Sequence, residues 1–203
     1  MATTTITDIS WPPFYAPMEK AMALGSITNI CNIGVGNGQE LFYYSYKANA
    51  VSPVTGVGID DWVFDADGRI KNMSLTDQNL VTLTKELVIA TVNGIALSEP
   101  TAPTLSIIEG DMVSSASNYA DGYFDFIYID HRSRSEAVWD SLFAAWIPKV
   151  ASGKFIAGHQ YNDNEAASGR ATGVKAAVDS AVANQGTTLY HWTLGNFWMF
   201  TKA

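Results

Sequence analysis

The chain has one cysteine, Cys31, in 203 residues. An internal disulfide is therefore excluded, and its place in the apolar run around Ile30–Ile33 makes it a buried, unreactive thiol. Basic residues are scarce: 12 Lys and Arg against 20 Asp and Glu give a net charge of −8. That balance argues against a nucleic-acid partner, which is held by neutralising phosphates with cationic side chains. No stretch approaches the roughly 20 apolar residues of a membrane span. The start, Met1 to Ser10, lacks the basic and apolar regions of a signal peptide. Repeats and low-complexity tracts are also missing. These absences lead us to expect a cytoplasmic protein with no membrane or nucleic-acid partner.

The apolar share is ordinary at 47% and the charged share low at 16%, the opposite of a disordered chain. A chain of this length buries roughly 70% of its unfolded surface and reads as one domain, 1–203, with an N-terminal arm or cap over 1–24 and a core over 25–203. Short apolar runs alternate with helical patterns, the mark of βαβ units. Strands are expected at Ile27–Ile33, Val54–Asp60, Thr104–Ile108, Phe124–Ile129 and Lys154–Gly158. Helices are expected over Gln39–Ala48, over Ser74–Asn93 with Ser74 and Asp77 placed to cap its start and Leu80, Leu83, Leu87 and Val88 inward, and over Ser168–Asn184 with Val174, Val178, Ala181 and Val182 inward. A further helix should start from a capping box of Ser133 and Glu136, bury Val138, Leu142, Ala145 and Trp146, and stop at Pro148. Thr187–Thr193 and Phe197–Thr201, joined by Leu194-Gly195-Asn196, leave room only for a hairpin, so the last strand should run antiparallel. The whole is an α/β, Rossmann-like three-layer sandwich with a mostly parallel seven-stranded sheet.

The sharpest local signal is Ile30-Cys31-Asn32-Ile33-Gly34-Val35-Gly36-Asn37-Gly38. A strand running through close glycines into a helix brings bare backbone up to a ligand, although a tight turn alone has the same appearance. Asp60, about 22 residues on and at the end of the next strand, sits where doubly wound sheets place an acid for ribose hydroxyls. Asp61 beside it reads equally as a surface charge.

With Gly58-Ile59-Asp60-Asp61-Trp62, Glu109-Gly110-Asp111-Met112 and the closing hairpin, the chain resembles a class I S-adenosylmethionine-dependent methyltransferase. Phe124-Asp125-Phe126-Ile127-Tyr128-Ile129-Asp130 and Lys154-Phe155-Ile156-Ala157-Gly158-His159-Gln160-Tyr161 are similar to a small-molecule and sugar-modifying branch, the domain-family-24 type. The resemblance implies that Gly34, Gly36 and Gly38 line the methionine and ribose of S-adenosylmethionine, that Asp60 holds the ribose, and that Asp111 and Met112 meet the adenine. It also implies that Asp130 faces the methionine amino group or the reaction centre. His159 is then the general base and His131 the second choice, with a small molecule, possibly a sugar or glycosidic hydroxyl, as acceptor. No metal is assigned, and a homodimer is compatible with it.

The chain also departs from that pattern. Arg132 stands where an acid is usual, Ser133 where a histidine is usual, Gln160 for an aspartate and Asn32 for an acid. An arginine neither ligates metal nor acts as a base near neutral pH, so a binding protein without turnover is the main rival. Arg132 and Arg134 either grip an anionic substrate or are solvated in a first helical turn. Asp163 and Glu165 either join His159 at a metal or form a polar surface. Trp11-Pro12-Pro13-Phe14-Tyr15 is a flap or a packed arm, and Phe42, Tyr43, Tyr44 and Tyr46 are core and surface cover. A nicotinamide-dependent oxidoreductase is disfavoured, because the third glycine comes one position early for G-x-G-x-x-G.

Overall fold

The computed structural model describes residues 2–6, 15–62, 84–94, 101–131, 133, 135–161 and 173–203. Eight strands form one sheet: β1 (Ala2–Ile6), β2 (Asn29–Ile33), β3 (Thr55–Asp60), β4 (Thr104–Glu109), β5 (Phe124–Ile129), β6 (Val150–Gly158), β7 (Thr188–Trp192) and β8 (Phe197–Thr201). Their order is β1-β7-β8-β6-β5-β2-β3-β4. Only β8 is reversed, pairing antiparallel with both β6 and β7. The seven expected strands are all present, and the segment at 2–6 supplies an eighth, parallel to β7 at the sheet edge.

Among the described residues five α-helical segments flank the sheet: α1 (Ala16–Leu24), α2 (Gln39–Asn49), α3 over 84–94, α4 (Glu136–Trp146) and α5 (Gly173–Gln185). Alternation along the strands sorts the core into two faces. Cys31, Ile33, Ile127 and Ile129 point to α4 and α5, where Trp139, Trp146, Val178 and Val182 meet them. Ile30, Phe126 and Tyr128 point to α1 and α2, meeting Met18, Ala21, Tyr44 and Ala48. The result is a three-layer α/β/α sandwich.

Some local expectations shift. Helix α4 begins at Glu136, with Ser135 as N-cap and no side-chain cap bond, so the Ser133–Glu136 capping box does not form. Ser133 instead holds the preceding turn: its carbonyl accepts Trp139 Nε1 at 2.7 Å and its Oγ accepts the Ser135 amide. The start of α5 packs closely on this point, since a Cβ on Gly173 would lie 2.1 Å from the Glu136 nitrogen. Trp139 and Phe143 are also buried there, whereas Val138 and Ala145 are only partly so. In α3 the inward face is Val88 and Val92, and Leu87 is 65% exposed, because a single residue is a rotation of about 100° on a helix. Ser74, Asp77, Leu80 and Leu83 lie outside the described residues.

At the amino ends of β2 and β5 a carboxylate ties the strands together. Asp125 Oδ2 accepts the Thr28 hydroxyl and the amides of Thr28 and Asn29, and Lys154 stands 3.2 Å from Oδ1. Burial raises the Asp125 carboxyl, but these donors outweigh it and carry it below the usual range.

Candidate functional site

Strand order reverses at β2: β3 and β4 lie to one side of it, β5 and β6 to the other. Ligands of open α/β sheets bind at such a point, outside the carboxyl ends of the strands. The glycine loop leaves β2 there. Gly34 has φ +81, and a Cβ on it would lie 1.9 Å from the Asp130 carbonyl oxygen. Its amide donates to Ile59 O at 2.8 Å, and the Asp130 amide donates to Ile33 O at 2.7 Å. The first glycine thus lets the tips of β2, β3 and β5 converge. Gly36 differs: with φ +52, no atom of the described residues lies within 4 Å of where its Cβ would be. Gly38, at φ +84, is the N-cap of α2.

The loop is braced from β3. Asp60, 4% exposed, accepts the Gly36 amide at 2.8 Å on Oδ2 and the Trp62 amide at 2.7 Å on Oδ1. Trp62 has φ 46, a left-handed conformation unusual for a bulky residue, and its Nε1 donates to Gly36 O at 3.3 Å. Both backbone groups of Gly36 are therefore held from the Asp60–Trp62 turn. A carboxylate has about four acceptor sites, so these two bonds leave Asp60 further acceptor capacity. Asn32 is fully buried and its amide donates to Gly34 O at 3.4 Å, a bond that an ionised acid could not make.

Beside the loop, the ends of β5 and β6 bring together Tyr128, Asp130, His159 and Gln160. His159 Nε2 lies 3.5 Å from Asp130 Oδ1 and 3.0 Å from Gln160 Nε2, and Nδ1 lies 3.4 Å from the Tyr128 hydroxyl. The His159 carbonyl accepts Trp198 Nε1 at 3.0 Å, and the following turn is anchored by Tyr161, whose hydroxyl donates to Asp179 at 2.6 Å. The His159 and Asp130 side chains are 26% and 33% exposed, which leaves both open to a ligand.

Glu40, in the first turn of α2, joins this group and was not visible as a site residue in the sequence. Burial raises its carboxyl, and the Asp130 charge raises it further, against lowering by its own backbone amide and by His159. The one available signal was its position two residues past the last glycine of the loop. Tyr44 and Tyr128 lie below; burial foremost lifts both hydroxyls far above the usual range, so they stay neutral.

The remaining predicted residues stand apart from this cluster. Asp111 is exposed and caps the 3-10 turn at Ser114–Asn118, accepting the amides of Ser114 at 2.7 Å and Val113 at 3.2 Å. The Ser114 bonds foremost lower its pKa. Met112 is partly buried against the core, and its carbonyl accepts Trp146 Nε1. His131 accepts the Ser133 amide on Nδ1 at 3.0 Å and lies near enough to Asp111 to help lower it. Arg132, Arg134, Asp163, Glu165 and Trp11–Phe14 lie outside the described residues. Tyr15 stacks on Tyr43 with 4° between rings. Among the described residues no group of three or more potential ligands could hold a metal, and no helix is long and apolar enough to cross a membrane. A cleft of about 280 Å3 lined by Met22, Ile27, Ala48 and Val51 opens at the opposite, amino end of the strands, with no titratable group in its lining.

No family model and no curated protein matches this sequence. Solved structures do match in fold. An O-methyltransferase from Bacillus cereus, solved with S-adenosylhomocysteine, aligns at TM-score 0.58 and 14% identity over 97% of this chain and 84% of its own. An S-adenosylmethionine-dependent methyltransferase from Methanosarcina mazei aligns at 0.56 and 12% identity over 96% and 99%. Spermidine synthase from Thermotoga maritima aligns at 0.57 and 13% over 94% of this chain, which spans only 58% of that enzyme. The chain likewise spans 60% of a Galdieria sulphuraria protein assigned as a sarcosine dimethylglycine methyltransferase. With the glycine loop at the switch point and the reversed eighth strand, the chain has the class I fold on which S-adenosylmethionine-dependent methyltransferases are built.

Proposed function

We propose that the protein transfers a methyl group from S-adenosylmethionine to a small-molecule acceptor, an alcohol such as a sugar hydroxyl. One observation carries this reading: a glycine loop with an open face at Gly36 stands at the strand-order reversal, directly beside a partly exposed His159–Asp130 pair. The residues suit the cofactor. Gly36 leaves a cradle that a Cβ would fill, and Asp130 with Glu40 sets negative charge where a sulfonium and an ammonium would be welcome. Gly34 and Gly38 shape the loop, Asp60 meets the ribose through its remaining acceptor sites, and Asp111 and Met112 line the adenine side.

When bound, the cofactor supplies an electrophilic methyl carbon, so much of the rate comes from holding donor and acceptor in line. The chain's own contribution is to take the acceptor's proton. That role is assigned to His159, and Asp130, 3.5 Å from Nε2, supports it with a negative charge that would stabilise the imidazolium. His131 is already an acceptor for the Ser133 amide, which makes it the weaker candidate.

Calorimetric titration of the cofactor-stripped protein tests the reading, with S-adenosylmethionine, S-adenosylhomocysteine and NADH as ligands. Micromolar binding of both sulfur nucleotides and none of NADH is expected. Binding of neither would overturn the proposal. His159→Ala should then keep S-adenosylhomocysteine affinity within about twofold while lowering kcat by roughly 100-fold or more. Unchanged kcat would make His159 structural, and cofactor binding without turnover on any acceptor would favour a binding protein.

A further inference from the structure

The chain turns sharply after β6, and the turn is held from both sides of Gln160. The His159 carbonyl accepts Trp198 Nε1 at 3.0 Å, and the Tyr161 amide donates to Asn196 O at 2.9 Å. The Tyr161 hydroxyl adds its bond to Asp179 at 2.6 Å. None of these bonds uses the Gln160 side chain. Between them Gln160 has φ 68, in the left-handed region that suits glycine and disfavours a residue with a Cβ. The side chain brings a second cost. Its Oε1 is buried with no hydrogen-bond partner among the described residues, and an unsatisfied buried polar atom weakens a fold. A glycine at 160 would have neither defect and would leave the flanking bonds in place. Stability therefore does not account for a glutamine here.

What the amide does touch is the Nε2 edge of His159, at 3.0 Å from its own nitrogen. The contact holds for either orientation of the amide, because its two ends differ only in which partner supplies the hydrogen. Turning the amide over would leave its nitrogen, instead of its oxygen, as the buried atom without a partner. The other groups around the ring are Asp130 at the end of β5, 3.5 Å from Nε2, and Glu40 on α2. The Tyr128 hydroxyl lies 3.4 Å from Nδ1, and the Phe197 ring of β8 has its centroid 6.2 Å away. Both carboxylates favour the imidazolium. Gln160 meets the same nitrogen as Asp130 without adding a charge.

We propose that Gln160 is a positioning residue: at a cost to stability, its uncharged amide holds the Nε2 edge of His159 beside Asp130 and keeps a third carboxylate away from it. The catalytic consequence rests on the methyl-transfer reading above. There the ring must take the proton of the acceptor hydroxyl, which it does only while neutral. The incoming hydroxyl then replaces the amide at Nε2, one hydrogen bond for another. A carboxylate at 160 would join Asp130 and Glu40 and hold the ring as imidazolium to higher pH. A glycine would release the edge and leave the ring free to turn.

Two measurements on the intact, cofactor-free protein test this. In thermal unfolding, Gln160→Gly should melt above wild type, and above Gln160→Ala by roughly 2–4 °C or more, because alanine keeps the Cβ. In an NMR titration of the three histidines, His159→Gln identifies the relevant signals. The His159 ring of Gln160→Glu should titrate about one pH unit or more above wild type. On a methylated acceptor, kcat of that variant should fall roughly tenfold at neutral pH and recover as pH rises. Its S-adenosylhomocysteine affinity should stay within about twofold of wild type. A Gln160→Gly protein that melts below wild type would overturn the proposal, as would an unshifted ring in Gln160→Glu. If Gln160→Glu does not fold, Gln160→Asp brings the same charge to the same turn and decides. Neither measurement needs a cofactor, so both results as expected without S-adenosylmethionine binding would remove the methyl-transfer reading alone.

Discussion

Gly34 and Gly36 are two positions apart, both with positive φ, yet alanine should act on them in opposite ways. At Gly34 the new Cβ would lie 1.9 Å from the Asp130 carbonyl oxygen, a backbone atom that cannot turn aside. The left-handed conformation costs about 1–2 kcal/mol for a residue with a Cβ, and forcing apart packed groups adds about 1–3 kcal/mol. Gly34→Ala should therefore lose roughly 2–5 kcal/mol of stability, a large share of a typical domain's total. At Gly36 the Cβ meets nothing, so stability should fall by only about 1 kcal/mol. The methyl group would project instead into the space before the loop. A clash there with bound cofactor should weaken affinity roughly ten- to a hundredfold, the equivalent of about 1.4–2.8 kcal/mol. Urea unfolding followed by circular dichroism, with calorimetry against S-adenosylhomocysteine, separates the two effects. Wild-type affinity in Gly36→Ala would refute the placement of cofactor against this loop, and wild-type stability in Gly34→Ala would refute the convergence of β2 and β5 on it.

Other perturbations have equally definite outcomes. Asp60→Asn sets an amide NH2 against one of the two backbone N–H groups now held by the carboxylate; it should cost about 1–3 kcal/mol in denaturant unfolding and also weaken cofactor binding. Asp125→Ala removes the clamp at the far end of the sheet and should lose about 2–3 kcal/mol while leaving S-adenosylhomocysteine affinity intact; a parallel loss of affinity would contradict its purely structural part. Glu40→Gln bears on pH. The folded carboxyl is raised, so the folded state binds the proton more tightly, and Glu40 costs stability as pH rises from its unfolded value through its folded one. The variant should melt higher than wild type at pH 7, with the gain vanishing near pH 4, and a lower melting point at pH 7 would refute the unfavourable burial of this carboxyl beside the Asp130 charge.

Much of the fold was legible because its signals are local. Phe124–Ile129 is a short, mostly apolar run, and the brief link from Trp192 to Phe197 allows a hairpin but no crossover. The β1 strand was not legible: Ala2–Ile6 is Thr-rich and becomes a strand only because β7 offers a free edge. The start of α4 was misplaced for a related reason, since a capping box is a local preference and the contact of Gly173 with Glu136 is a distant one. Leu87 and Val88 are both apolar, and only the neighbours Val35 and Trp62 decide that Val88 turns inward.

The site divides along the same line. By itself the sequence determined the glycine loop, the acid at the end of β3 and the histidine after β6, because each is the fixed punctuation of a strand ending. Tertiary structure alone decided that Asp60 spends one bond on the Gly36 amide and one on the Trp62 amide, that the Asp130 charge reaches Glu40, and that Tyr128 lies between Tyr44 and His159. Those three rings come from α2, β5 and the end of β6, far apart in sequence. Contacts between residues so distant in the chain exist only once the strands lie side by side, so no local pattern encodes them.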